Sequence, residues 1–174
     1  DPLKIISLIK KVKNNPNYFI FVERTKRLEN FFLQLLNKIR LLITYLLTGK
    51  YLNIGNFSAF NSKLLKSILA NKNLSLAYCS GVIKNYDKLI FLGFPKKKRF
   101  YGISKVNIFF LFKHSINIIS VFYKSVLLRT LIIFLLSSFY SNDYQVIFFF
   151  TILLVNIIFA ANYFFNSSFD HKKA

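Results

Sequence analysis

Four cations in succession, Lys96, Lys97, Lys98 and Arg99, run into Phe100, Tyr101, Gly102, Ser104 and Lys105. Residues of these types hold anions. Arginine and lysine supply charge-assisted hydrogen bonds, and a backbone turning at Gly102 can wrap phosphate oxygens. Directly after this stretch the chain becomes strongly apolar and stays so almost to its end. A cationic loop at the edge of a membrane segment is well placed to hold an anion carried by a lipid. The same residues also suit a plain polybasic patch that touches anionic headgroups. Composition alone leaves both readings open.

Other residues with usable chemistry are few. Glu23, Arg24 and Arg27 follow a short apolar run and make a second charged loop, for which solvated surface charge is the plainer reading. Asn56 sits in the turn-rich stretch 53–60, where its amide can orient a hydroxyl by hydrogen bonding. Cys79 is the single cysteine, which excludes an internal disulfide and any multi-cysteine metal site. His114 falls on or beside the polar stripe of a helix, where packing accounts for it. His171 lies in the tail and is uninformative.

The composition sets the environment. Hydrophobic residues make up 54% of the 174, and 25 Lys and Arg stand against 6 acids, for a net charge of +19. That combination points to an anionic membrane surface. Nucleic acid is the usual rival partner for such a charge, and the apolar C-terminal third argues against it. Abundant Lys, Asn, Ile and Phe is also what an AT-rich genome produces. No methionine is present, so the chain is expected to be the C-terminal piece of a longer protein. No leader can be read from it.

The elements that must position these residues follow in order. Asp1 and Pro2 suit a helix start, with Leu3, Ile6, Ile9 and Val12 as its apolar stripe. Residues 14–17 end it, and 18–22 read as a buried strand delivering Glu23, Arg24 and Arg27 to a loop. A long apolar helix is predicted over 30–48, with Gly49 as its C-terminal cap. After the 53–60 turn come helices from 61 or 62 through 70 and over 74–84, a turn at 85–87, and a strand over 88–94.

From 105 to 124 the pattern is that of an interfacial amphipathic helix. Lys113, Asn117, Ser120 and Lys124 form one polar stripe, and Val106, Phe109, Phe112, Ile116 and Phe122 cover much of the rest. Apolar segments at 127–140 and 144–165 follow. The second is long enough to cross a bilayer, and the first can cross if Arg129 snorkels to the interface. Both outer flanks are basic (Lys124 and Arg129, Lys172 and Lys173), while the 141–143 tip is not. The positive-inside rule then places the globular part and the C-terminus in the cytoplasm.

This order of elements resembles the C-terminal part of family 2 glycosyltransferases of the polyprenyl-phosphate sugar transferase type, similar to dolichyl-phosphate mannose synthase. Its most specific piece is Arg99-x-x-Gly102-x-Ser104-Lys105. The resemblance implies an α/β fold: the C-terminal part of a Rossmann-like nucleotide-diphospho-sugar transferase domain over 1–104. An interfacial amphipathic helix over 105–125, a two-helix transmembrane hairpin over 126–165 and a cytoplasmic tail over 166–174 complete it.

The resemblance further implies a nucleotide-sugar donor, a polyprenyl-phosphate acceptor and an anionic membrane as partners, with homo-oligomerisation left open. Arg99, Gly102, Ser104 and Lys105 would hold the acceptor phosphate, and Arg24 and Arg27 the donor phosphates. A divalent metal, Mg or Mn, is expected, with ligands mostly outside this chain. Asn56 stands where the family often has an aspartate. It is the candidate catalytic residue, but it cannot take a proton as a carboxylate does. Transfer to a glycan or glycolipid hydroxyl, or a non-enzymatic basic membrane-surface module, are the alternatives.

Overall fold

Phe19, Ile20 and Phe21 are wholly buried, and the strand that carries them, β1 (Phe19–Arg24), is the centre of the lobe. The computed structural model describes residues 2–25, 31–95, 107–137 and 145–168. β1 pairs antiparallel with β2 (Ile54–Ala59) and parallel with β3 (Leu89–Phe94), giving a 3-stranded sheet in the order β2-β1-β3. Its two faces are both covered. Phe19 and Phe21 pack with Ile68 and Val82, whereas Ile20 and Val22 pack with Leu8. A strand buried on both faces must be apolar throughout rather than alternating, which is why this run carries no polar residue before Glu23.

Helix α1 (Pro2–Asn14) covers one face, and α3 (Leu65–Leu69) and α4 (Tyr78–Asn85) cover the other. The expected apolar stripe of α1 is met at Val12 but not at Ile6 and Ile9. Ile6 and Ile9 are exposed, and Leu8 with Val12 meets the sheet, one turn from Lys4 lying over the Phe94 ring. The helix expected over 74–84 is also shorter, because the Asn71 side chain caps a 3-10 turn at Lys72–Leu74 and the chain re-enters helix at Tyr78. Asn71 Nδ2 also donates to the Gly81 carbonyl at 2.9 Å, tying that turn to α4.

The remaining helices are apolar on their outer surfaces. These are α2 (Phe31–Thr48), α5 (Ile108–Ser120), α6 (Tyr123–Ser137) and α7 (Gln145–Ser168). Asn107 caps α5 by accepting from the Phe110 amide at 2.7 Å. Among the described residues, α2 and the 145–166 part of α7 are each long and apolar enough to cross a membrane. α5 and α6 form a pair bent by 86° at Val121 and Phe122, so Lys124 belongs to α6 and not to a single helix over 105–124.

α6 and α7 run antiparallel, with Tyr123 against Tyr163, Thr130 against Asn156 and Phe134 against Phe149. Two residues of the expected polar stripe face the protein rather than water. Asn162 of α7 donates to Asn117 Oδ1 at 3.1 Å and lies 2.9 Å from Ser120 Oγ. The lobe joins the helices through a core of Leu52, Leu76, Ala77, Ile118, Val121 and Phe122.

Candidate functional site

The sheet register brings the candidate stretches to one end. Arg24 pairs with Phe94 at the C-terminal ends of the parallel strands β1 and β3, and the Thr25 amide donates to the Phe94 carbonyl at 3.2 Å. The chain therefore leaves β1 and β3 at neighbouring positions at one end of the sheet. Ligands in open α/β sheets bind outside the carboxyl ends of parallel strands. The Arg24 side chain, and Arg27, Arg99, Gly102, Ser104 and Lys105 entirely, lie outside the described residues.

Asn56 reaches the same end from the other side. The β1–β2 ladder pairs Phe21 with Ser58 and Glu23 with Ile54, so β2 carries surplus residues between those pairs and Asn56 lies among them. A bulge of this kind re-aims a side chain out of the ladder. Its Oδ1 is 3.2 Å from the Cys79 thiol, which lies at the same distance from the Gly55 carbonyl. The single thiol hydrogen is shared between these two acceptors, and the Asn56 amide, which lines the cleft, can both donate and accept there. Burial pushes the Cys79 thiol up to about 12 from 9.0. It is a fixed donor, not a nucleophile.

Asn56, Cys79 and Ser80 line a small cleft with Leu52, Ile54, Ala77, His114 and Ile118. The cleft has room for about 20 Å³, roughly one water. His114 enters it from α5, stacked on Phe110 with ring centroids 6.1 Å apart. Helical spacing assigned His114 to packing, and nothing in its neighbours along the chain signals the cleft. Beneath the bulge Tyr78 exchanges a 2.7 Å hydrogen bond with Ser58. Burial raises the Tyr78 pKa, partly offset by that bond, so the phenol stays neutral.

Among the described residues no group of three or more His, Cys, Asp or Glu side chains is placed to hold a metal ion. The described residues therefore supply no metal cage. What they do supply is an amide in a bulge, an imidazole lining the same cleft, and the adjoining ends of β1 and β3. No protein-family model, curated protein or solved structure matches the chain.

Proposed function

We propose that this chain is the acceptor-handling part of a membrane-bound family 2 glycosyltransferase. It would move a sugar from a nucleotide-sugar donor to a polyprenyl phosphate at the cytoplasmic face. One observation carries the reading: Arg24 of β1 and Phe94 of β3 are register partners, so both cationic segments leave one sheet edge, with Asn56 in the adjacent strand. Apolar helices adjoin that edge, since α5 contributes to the Asn56 cleft. In this reading the three strands belong to a larger Rossmann-like sheet, and α6 and α7 cross as a hairpin with basic flanks kept inside.

The chemistry follows from charge. Departure of a nucleotide diphosphate concentrates negative charge on its phosphates, and fixed cations stabilise it best because they need no reorganisation. Arg24 and Arg27 take that role. Arg99, Gly102, Ser104 and Lys105 hold the acceptor phosphate, with the planar guanidinium making the two-pronged contact. An acceptor phosphate is already ionised near neutral pH, so the reaction needs no carboxylate base. Asn56 Nδ2 orients the acceptor or a sugar hydroxyl.

Transfer to a polyprenyl phosphate in detergent tests this, using the full-length protein and checking membrane attachment of each variant. Arg99→Ala is expected to lose about 1.5–3 kcal/mol of interaction, roughly tenfold to a hundredfold in transfer efficiency. Lys97→Ala acts through the surface field alone and should cost much less, with a loss that shrinks in high salt. Equal, salt-sensitive losses for the two would make the loop a headgroup patch and remove the assignment.

A further inference from the structure

The cleft beside Asn56 is polar without being charged. Four of its walls can hydrogen-bond: the Asn56 amide, the Ser80 hydroxyl, the Cys79 thiol and the His114 imidazole. Burial keeps the thiol protonated. Burial first, and then the Arg40 guanidinium of α2, lower the His114 pKa, so the imidazole is uncharged near neutral pH. A neutral imidazole donates through one nitrogen and accepts through the other, and the amide and hydroxyl also do both. His114 spends its ring face on Phe110, and among the described residues neither of its nitrogens has a hydrogen-bond partner.

Size and hydrogen-bond balance then select the occupant. Room for about 20 Å³ admits one oxygen atom and excludes a whole sugar or phosphate. A cation would find no carboxylate in these walls, and an ionised oxygen would find no positive charge. Either would give up hydration without a compensating partner. A hydroxyl both donates and accepts, and so matches walls that do the same. On the transferase reading above, a polyprenyl phosphate brings no hydroxyl, whereas the donor sugar brings several.

We propose that the cleft receives one hydroxyl of the transferred sugar, held between the Asn56 amide and the His114 imidazole. The sugar ring stays outside, and a water takes the place before the donor binds. His114 thereby gives α5, an apolar helix, a part in choosing the sugar. The inference deepens the transferase reading and rests on it.

Sites built to hydrogen-bond a hydroxyl reject the analogue lacking it, because their polar groups are left unpaired. Deoxy sugars are therefore the probe. Transfer to a polyprenyl phosphate by the full-length protein in detergent is first screened with UDP-glucose, UDP-galactose, UDP-N-acetylglucosamine and GDP-mannose. Analogues of the best donor, each lacking one sugar hydroxyl, are then compared by kcat/KM. The wild-type protein should lose roughly a hundredfold or more at one position. His114→Phe keeps a ring to stack on Phe110, yet should transfer the parent sugar and that deoxy sugar at similar efficiency. His114→Gln, which still donates and accepts, should keep most of the discrimination. Should His114→Phe fail to fold, Asn56→Ala serves for the same comparison.

A merely structural role for His114 would slow both sugars alike and preserve their ratio. An unchanged ratio at every position in His114→Phe therefore overturns the proposal. So does a wild-type protein indifferent to every deoxy analogue, which would leave water as the sole occupant of the cleft. Both results leave the transferase reading standing. Absence of transfer from all four donors would remove that reading, and the hydroxyl subsite with it.

Discussion

Lys84 Nζ donates to the Val121 carbonyl at 2.6 Å, joining the last turns of α4 to the bend between α5 and α6. Val121 follows the end of α5, where helical carbonyls lack intrahelical partners and the macrodipole favours a cation. The same ammonium lies over the Tyr163 and Tyr123 rings at 5.2 and 6.0 Å. Burial, and then the charge of Lys124, lower the Lys84 pKa. One side chain thus fastens the lobe to three of the apolar helices.

Replacing that ammonium with an apolar stem of similar length isolates its role. Lys84→Met should destabilise the detergent-solubilised chain by about 1–2 kcal/mol, the lower range for a hydrogen bond to a charged group because the site is open to solvent. Thermal unfolding measures it. Proteolysis between lobe and helices should accelerate in parallel, and an unchanged Tm would make the contact incidental.

Cys79 gives a pH dependence of known sign. Its folded-state pKa of about 12 lies above the unfolded value of 9.0. Below 9 both states keep the proton and the group is neutral toward stability. Between 9 and 12 the unfolded chain loses its proton first, so stability falls as pH rises, by at most about 1.4 kcal/mol per unit. Cys79→Ser keeps a donor for Asn56 without titrating there, and the alkaline loss should flatten. Denaturant titrations at a series of pH values read it directly.

Asn56→Asp separates the two acceptor classes. With a phosphate acceptor no base is needed, and the aspartate often found here in the family the chain resembles tolerates that acceptor, so transfer should change by less than about tenfold. With a hydroxyl acceptor it supplies a general base, and transfer should rise. Parallel assays on polyprenyl phosphate and on a glycolipid decide between them.

Gly49 closes α2 at φ +73, its amide donating to the Tyr45 carbonyl at 2.7 Å. A Cβ placed there would meet the Arg129 guanidinium, the far end of a flexible side chain. Arg129 can swing aside, so Gly49→Ala should lose about 1–2 kcal/mol through the left-handed backbone alone. Most of that loss should persist when Arg129→Ala is combined with it, as a double-mutant cycle would show.

Much of this arrangement is written locally. The apolar run bounded by Asn-Pro at one side and Glu23 at the other announces β1, and Gly49 announces the end of α2. The bend after Ser120 is not announced, since Ser120, Val121, Phe122 and Tyr123 include neither proline nor glycine. It is imposed from outside, by Lys84 on the Val121 carbonyl and by Phe122 buried against Leu52 and Leu76. In the same way Asn56 is visible as a candidate, but its thiol partner stands 23 residues away along the chain. The meeting of the ends of β1 and β3 depends on their parallel pairing, a register no short-range pattern encodes.

The asparagines of α7 have a mechanical consequence. Asn156 engages Thr130, Asn162 engages Asn117 and Ser120, and Asn166 engages Asn162, all between 2.8 and 3.1 Å. Advancing the helix by one residue would shift it about 1.5 Å and turn it about 100°, parting Asn156 from Thr130 and Asn162 from Asn117 and Ser120. α7 is keyed to one rotational setting, like a splined shaft. Where a smooth apolar helix could spin or slide on its neighbours, this one can only tilt together with α5 and α6.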